Sequence, residues 1–169
     1  MKLPSTFTKN EKRVNVVIET PRGSRNKFVY DPENDFFKLK KTLPFGTVFP
    51  FDFGFVPGTK GEDDQPIDVV LLMDFPTFPG CIVECRCLGV ILAEQKEKSK
   101  TIRNDRIICV PEQSIIYSHM KTTADLHPNM LDEIVQFFMY YNQMAGKEFK
   151  MLQLRNETSA LKIIRDHMS

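Results

Sequence analysis

Four carboxylates fall within eight residues at 61–68, "GEDDQPID", directly before the apolar run "VVLL". A hard cation such as Mg²⁺ takes one or two carboxylates, keeps several waters and completes its shell on substrate phosphates. Asp63 and Asp68 suit that work, because Pro66 between them fixes the backbone and a loop-to-strand junction lets both face one pocket. The alternative is a solvated acidic turn. Against it, Asp68 lies inside a strand pattern, where an unpaired carboxylate is costly, and a Phe-rich loop leads into the cluster. Gln65 is a neutral amide among these acids. Glu19 ends one apolar run and Lys27 opens the next across one turn. From spacing alone they read as a surface ion pair, with a place in a phosphate site as the alternative. His119, His127 and His167 are scattered, and the chain has no Gly-rich phosphate loop, GxSxG or HExxH motif. Cys85 and Cys87 share one strand face, and no cysteine has CxxC or His-containing zinc spacing, so Cys81, Cys85, Cys87 and Cys109 are expected to be reduced, buried thiols.

The elements that must position these groups are mostly strands. "VNVVIE" (14–19), "KFVYD" (27–31) and "FFKLKK" (36–41) read as short strands separated by the turns "TPRGSRN" and "PEND". A long aperiodic stretch follows, "TLPFGTVFPFDFGFVPGTKGEDDQP". Loops of that length are functional or disordered, and its five Phe argue for burial and order. "IDVVLLM" and "CIVECRCLGVILA" are the strongest strand patterns, "EQKEKSK" reads as an exposed charged turn, and "RIICVP" is a further strand. Pro128 at a helix start introduces "NMLDEIVQFFMYYNQMAG", whose apolar face "MLDEIVQFFMYY" reads as core in preference to interface. "NETSALKIIRDHM" is a second amphipathic helix. Strands followed by two helices predict an antiparallel barrel or sandwich carrying helices.

Length and charge narrow the function classes. Residues 1–169 fit one domain, and 41% hydrophobic with 27% charged residues is ordinary for a soluble protein. A net charge of +1 gives no global attraction to nucleic acid or anionic membrane, so any anion site must be local. "KEKSKTIRNDR" and the aromatic loop hint at single-stranded nucleic acid, but without a broad basic stripe this reading is disfavoured. The N-terminal "MKLPSTFTKNEKR" lacks an apolar signal region and no apolar run reaches membrane-spanning length, so the expectation is a cytoplasmic protein without membrane partners.

In order along the chain, "VVIETP", Lys27, "FPFDFGFVPGT", "DDQPIDVVLL", "FPTFPGCIVECRCLGV", the "VP" at 110–111 and "FFMYYN" resemble the soluble family I inorganic pyrophosphatases from about Val14 to Gly146. The resemblance implies a five-stranded OB-like barrel flanked by two helices, with several Mg²⁺ ions and pyrophosphate in its polar mouth. It also implies attack by a metal-activated hydroxide, and a homo-oligomer. The family's D-x-D-P-x-D motif is Asp63-Asp64-Gln65-Pro66-Ile67-Asp68 in this chain, which keeps Asp63 and Asp68 as metal ligands. The middle carboxylate, the family's proton acceptor, is Gln65. An amide takes no proton at neutral pH, and losing a positioned base typically costs about 10²–10⁴ in rate.

Other matched positions also depart from the pattern. Glu19 and Lys27 agree, and Lys41 and Arg106 keep the charge of the family's Arg and Lys. Val29 stands at an acid position, Phe49 and Phe53 stand at Tyr positions, and Tyr141-Asn142 stands for Tyr-Lys. The later Asp pair falls at Gln95 and Asn104, with Glu94 as a substitute if the turn shifts by one residue. The expected function is hydrolysis of pyrophosphate or a related phosphoanhydride with weakened or altered Mg²⁺ dependence, on fewer ions or none. The alternative is an inactive homologue that binds phosphate or nucleotide, or serves as an oligomeric partner. Lys27, Lys41, Arg106 and Tyr141 are the expected substrate-binding residues, and Asp63 and Asp68 the metal ligands. Glu19 and Gln65 occupy the catalytic positions, and Glu62, Asp64 and Asp52 are replacement bases by sequence proximity alone.

Overall fold

β1 (Val14–Thr20) is buried continuously from Val14 to Ile18, the burial expected of a strand covered on both faces. The computed structural model describes residues 2–9, 11 and 13–169; Met1, Asn10 and Lys12, part of the polar N-terminal stretch, lie outside the described residues. β2 (Asn26–Asp31) and β3 (Phe36–Thr42) form a separate hairpin, followed by β4 (Asp52–Phe55) and β5 (Asp68–Leu71). The long β6 (Ile82–Glu97) leads to β7 (Lys100–Arg103) and β8 (Arg106–Pro111). After α1 (Pro128–Gln143) come β9 (Glu148–Asn156) and α2 (Glu157–Asp166). The order β1-β4-β5-β8-β6, with β6 returning to β1, closes a five-stranded ring. The expected OB-like barrel with two flanking helices is borne out. Its pairings are antiparallel except β5 with β8, which is parallel.

Strand alternation divides the apolar residues between two clusters. Val69 and Leu71 join Val16, Ile18 and Ile107 under Ala160 and Ile164 of α2. Val70 and Leu72 join Ile108 and Val110 under Ile134 and Phe138 of α1. Cys85, Cys87 and Cys109 are free and buried as expected, with the sulfurs of Cys87 and Cys109 3.6 Å apart across β6 and β8; Cys81 is only partly buried. The α1 N-terminus is capped by His127 Nδ1, which accepts the Asn129 N–H, with Pro128 as its first residue. Asn156 Oδ1 accepts the Ser159 N–H and caps α2. The apolar face of α1 is core along Ile134 and Phe138, while Met139 and Tyr140 remain exposed.

Three strands depart from the sequence expectation. β4 lies inside the stretch read as a loop, and all four of its residues are buried. Part of the charged "EQKEKSK" turn is strand, since β6 runs on to Glu97 and hairpins into β7. β9 pairs along β6 from Gly89 to Lys96, although its Lys, Met, Leu and Gln are good helix formers. No helix among the described residues is long and apolar enough to cross a membrane.

Candidate active site

The polar cluster forms where the hairpin meets the ends of three barrel strands. β2–β3 register sets Lys27 opposite Lys41, and β5–β8 register sets Asp68 beside Arg106. Glu19 comes from the end of β1 and Tyr141 from α1. Like charges facing each other across an antiparallel pair destabilise it, so the two lysines need local support. Lys27 Nζ lies 3.2 Å from Glu19 Oε2 and 4.1 Å from the Phe53 ring centroid. Both partners are largely buried, at 7% and 12% exposure for Lys27 and Glu19, so the pair is not the surface pair expected from spacing. The other Glu19 oxygen accepts the Tyr30 N–H at 2.8 Å, which fixes the carboxylate. Burial lowers the Lys27 pKa against the pull of Glu19 and Asp68.

Lys41 Nζ rests 3.9 Å from the Tyr141 ring centroid. Its pKa is also lowered, first by burial and then by the charges of Lys40, Lys27 and Lys147. Burial, with the Asp68 charge adding to it, pushes the Tyr141 phenol up to about 12, so this group remains a hydroxyl at neutral pH.

Arg106 is 4% exposed and lies over Phe138 and Phe149, with its guanidinium carbon 4.9 and 5.8 Å from the ring centroids. Its Nη1 is 3.1 Å from Asp68 Oδ2 and donates to the Asn104 carbonyl at 2.7 Å. It also donates to Asn104 Oδ1. Arginine can only donate, so Asn104 presents its oxygen there and turns its amino group to Gln95 Oε1, 2.7 Å away. The two amides at expected carboxylate positions are therefore bonded to each other and to Arg106. Gln95 makes this contact itself; Glu94, its neighbour on β6, starts from the opposite strand face. Arg106 Nε is buried with no hydrogen-bond partner among the described residues.

Asp63 and Asp68 line one cleft with Asn104, Asp105 and His167. Burial raises both carboxyl pKa values and Arg106 opposes the rise at each; the Asp68 charge adds to the rise at Asp63, and the Glu19 charge to that at Asp68. Gln65 is exposed, and its backbone N–H donates to Asp63 Oδ1 at 3.1 Å. The bases considered from sequence proximity have other partners. Glu62 accepts the Arg103 N–H, Asp64 pairs with Lys60, and the buried Asp52 accepts from Arg22 and Thr77. Asn142 is buried and donates to the Phe138 carbonyl within α1.

Among the described residues, no three His, Cys, Asp or Glu side chains gather as a metal-binding group. Asp63 and Asp68 together fit one hydrated Mg²⁺. The Gln95 and Asn104 side-chain oxygens each accept a hydrogen bond. The seat of Arg106 on Phe138 and Phe149 is missing from the sequence reading. The spacing of Phe138, four residues after the buried Ile134, marks it only as core.

Comparison with known proteins is consistent along nearly the whole chain. The family model described as inorganic pyrophosphatase matches residues 16–169. The inorganic pyrophosphatase of Synechocystis sp. is 34% identical over 153 residues, spanning 90% of this chain and 88% of that one. That of Methanosarcina acetivorans is 35% identical over 154 residues, 91% of this chain and 89% of its own. The crystal structure of the Thermus thermophilus inorganic pyrophosphatase superposes with a TM-score of 0.89 at 33% identity, covering 99% of this chain and 95% of that one.

Proposed function

Because the chain belongs to the inorganic pyrophosphatase family, we propose that it binds pyrophosphate or a related phosphoanhydride between Lys27, Lys41 and Arg106 and hydrolyses it with weakened or altered Mg²⁺ dependence. The observation that carries this reading is the buried, partnerless Nε of Arg106 beside two lysines that face each other. A buried donor without an acceptor costs about 1–3 kcal/mol, and like charges on adjacent strands add to the cost. A phosphate anion relieves the repulsion between the lysines. Lys27, Lys41 and Arg106 neutralise the anion, Glu19 positions Lys27, and the Tyr141 hydroxyl donates to a phosphate oxygen. Asp63 and Asp68 are the residues to hold one Mg²⁺, which when bound polarises a phosphoryl oxygen and acidifies a water. Gln65 can orient a water but cannot accept its proton.

Phosphate release from pyrophosphate with Mg²⁺ or Mn²⁺ tests this reading. The wild type is expected to turn over about 10²–10⁴ more slowly than relatives that carry the acid. Gln65→Asp should raise the rate and Asp68→Asn should abolish it. Wild-type turnover within about tenfold of those relatives, far inside the loss expected without the base, overturns the weakened-site reading. A second reading, a non-catalytic phosphate or nucleotide binder, is favoured by the Gln95–Asn104–Arg106 bonds that engage two carboxylate positions. Pyrophosphate binding with no phosphate release from the wild type or Gln65→Asp selects it. We also propose that the chain acts in the cytoplasm as a homo-oligomer. Support for assembly comes from the exposed Phe75, Phe78, Ile115 and Ile116, whose segments are tied together where Asp74 accepts from Ser114, Ile115 and Ile116.

A further inference from the structure

Arg25 and Phe45 form a stacked pair beside the pocket that none of the roles above uses. The Arg25 guanidinium carbon lies 4.1 Å over the Phe45 ring centroid, and Phe45 is 91% exposed. Isolated exposed apolar residues are common and need no explanation. This one is held by its surroundings. Arg25 Nη2 donates to the Leu43 carbonyl at 2.9 Å, and a turn closed by Thr47 N–H to the Pro44 carbonyl carries Phe45 at its tip. One ring face is occupied by the guanidinium. The ring's exposure leaves the other face open.

The Arg25 backbone sits two rungs beyond the lysines. Leu43 N–H donates to the Arg25 carbonyl, the next partners are Asn26 with Thr42, and the next are Lys27 with Lys41. Arg25 lies at a bend just before β2, two residues from Lys27, so its backbone pairing with Leu43 sets the turn that carries Phe45 near the lysines. The backbone of Phe49 bonds to Ser24 and Gly23, and its ring lies 5.6 Å from Lys27 Nζ and 5.7 Å from the Tyr141 ring. Backbone pairing thus puts the turn that carries the exposed ring next to the end of the hairpin that holds Lys27 and Lys41. Arg25 Nε is buried with no hydrogen-bond partner among the described residues.

We propose that Phe45, backed by Arg25, is a stacking platform for a nucleobase, so that the preferred ligand is a nucleoside diphosphate or longer nucleoside phosphate whose anhydride reaches Lys27 and Lys41. This rests on the phosphoanhydride reading of the pocket and names its ligand class. Every nucleobase offers a π face to an aromatic ring, and the cationic backing adds attraction. Bare pyrophosphate cannot reach the platform while it occupies the lysines.

The test is calorimetric titration of the full-length chain, in Mg²⁺-containing buffer, with ADP, methyl diphosphate and pyrophosphate. Methyl diphosphate carries the anhydride without the nucleoside. The wild type should bind ADP about 5- to 150-fold tighter than methyl diphosphate, the range of one base–aromatic stack. Phe45→Ala should bring ADP down to methyl diphosphate and leave pyrophosphate unchanged, and Phe45→Tyr should keep the ADP preference. Because the side chain is exposed, circular dichroism and melting should match the wild type in both variants. Equal wild-type affinity for ADP and methyl diphosphate, or an ADP preference that survives Phe45→Ala, overturns this inference alone. If none of the three ligands binds, the phosphoanhydride reading falls and takes this inference with it.

Discussion

An amide in place of a carboxylate changes which neighbours it can bond. At Gln95 and Asn104 the exchange gives a chain of hydrogen bonds ending on Arg106, and Arg106 in turn reaches Asp68. The cluster sets Lys27 beside Glu19 and Arg106 beside Asp68. Tyr141 reports on this environment. Its phenol titrates near 12 because burial, assisted by Asp68, disfavours the phenolate. The folded state therefore holds this proton more tightly than the unfolded state, whose tyrosine titrates near about 10. The stability linked to Tyr141 is complete below about pH 10 and is lost as pH rises through 12. Absorbance at 295 nm should show a late phenolate component near pH 12 that Tyr141→Phe removes. A late component that survives Tyr141→Phe would contradict the assignment.

At the scale of elements, the parallel β5–β8 pair brings Asp68 and Arg106 together, and the β2–β3 hairpin joins the two lysines. Glycine is required where strands approach most closely. A Cβ on Gly54 of β4 would lie 2.2 Å from the Val17 carbonyl oxygen of β1, inside any tolerated contact. Gly54→Ala should therefore cost about 1–3 kcal/mol or more, read as a lower urea midpoint at unchanged m-value. A midpoint equal to wild type would show that β1 and β4 separate without cost. The same strand shows why element reading was incomplete. "DFGF" lacks β-branched residues and sits among prolines, so nothing local marks it as strand, yet pairing with β1 and β5 makes it one. β9 was missed for a related reason: its partner on β6 overrides its helical propensity.

For the whole molecule, closure of the ring through β6 and β1 leaves no free edge between these strands, and the two helices cover the two apolar clusters. Apart from Phe45 and the β2–β3 hairpin, exposed apolar side chains gather at Phe75 and Ile115, 77% and 82% accessible, with Phe78 and Ile116 on the same two segments. Patches of this kind mark interaction surfaces. Sedimentation velocity should show a multimer that Phe75→Asp combined with Ile115→Asp shifts toward monomer; a monomeric wild type at all concentrations refutes assembly. The sequence by itself determined the barrel class, both helices and the identity of the charged cluster, because hydrophobic period, caps and motif order are local properties of the chain. Asp68 stood out by its place in the strand pattern, whereas Lys41, Arg106 and Tyr141 are expected only through the resemblance to the pyrophosphatases. Only the tertiary structure decided that Glu19 and Lys27 are buried together, that Gln95 and Asn104 bond to each other, and that Arg106 rests on rings from α1 and β9. Each depends on strand register and on burial. Those are set when segments pack: Glu19 and Lys27 lie eight residues apart and Gln95 and Asn104 nine, yet spacing alone fixes neither their burial nor their bonds.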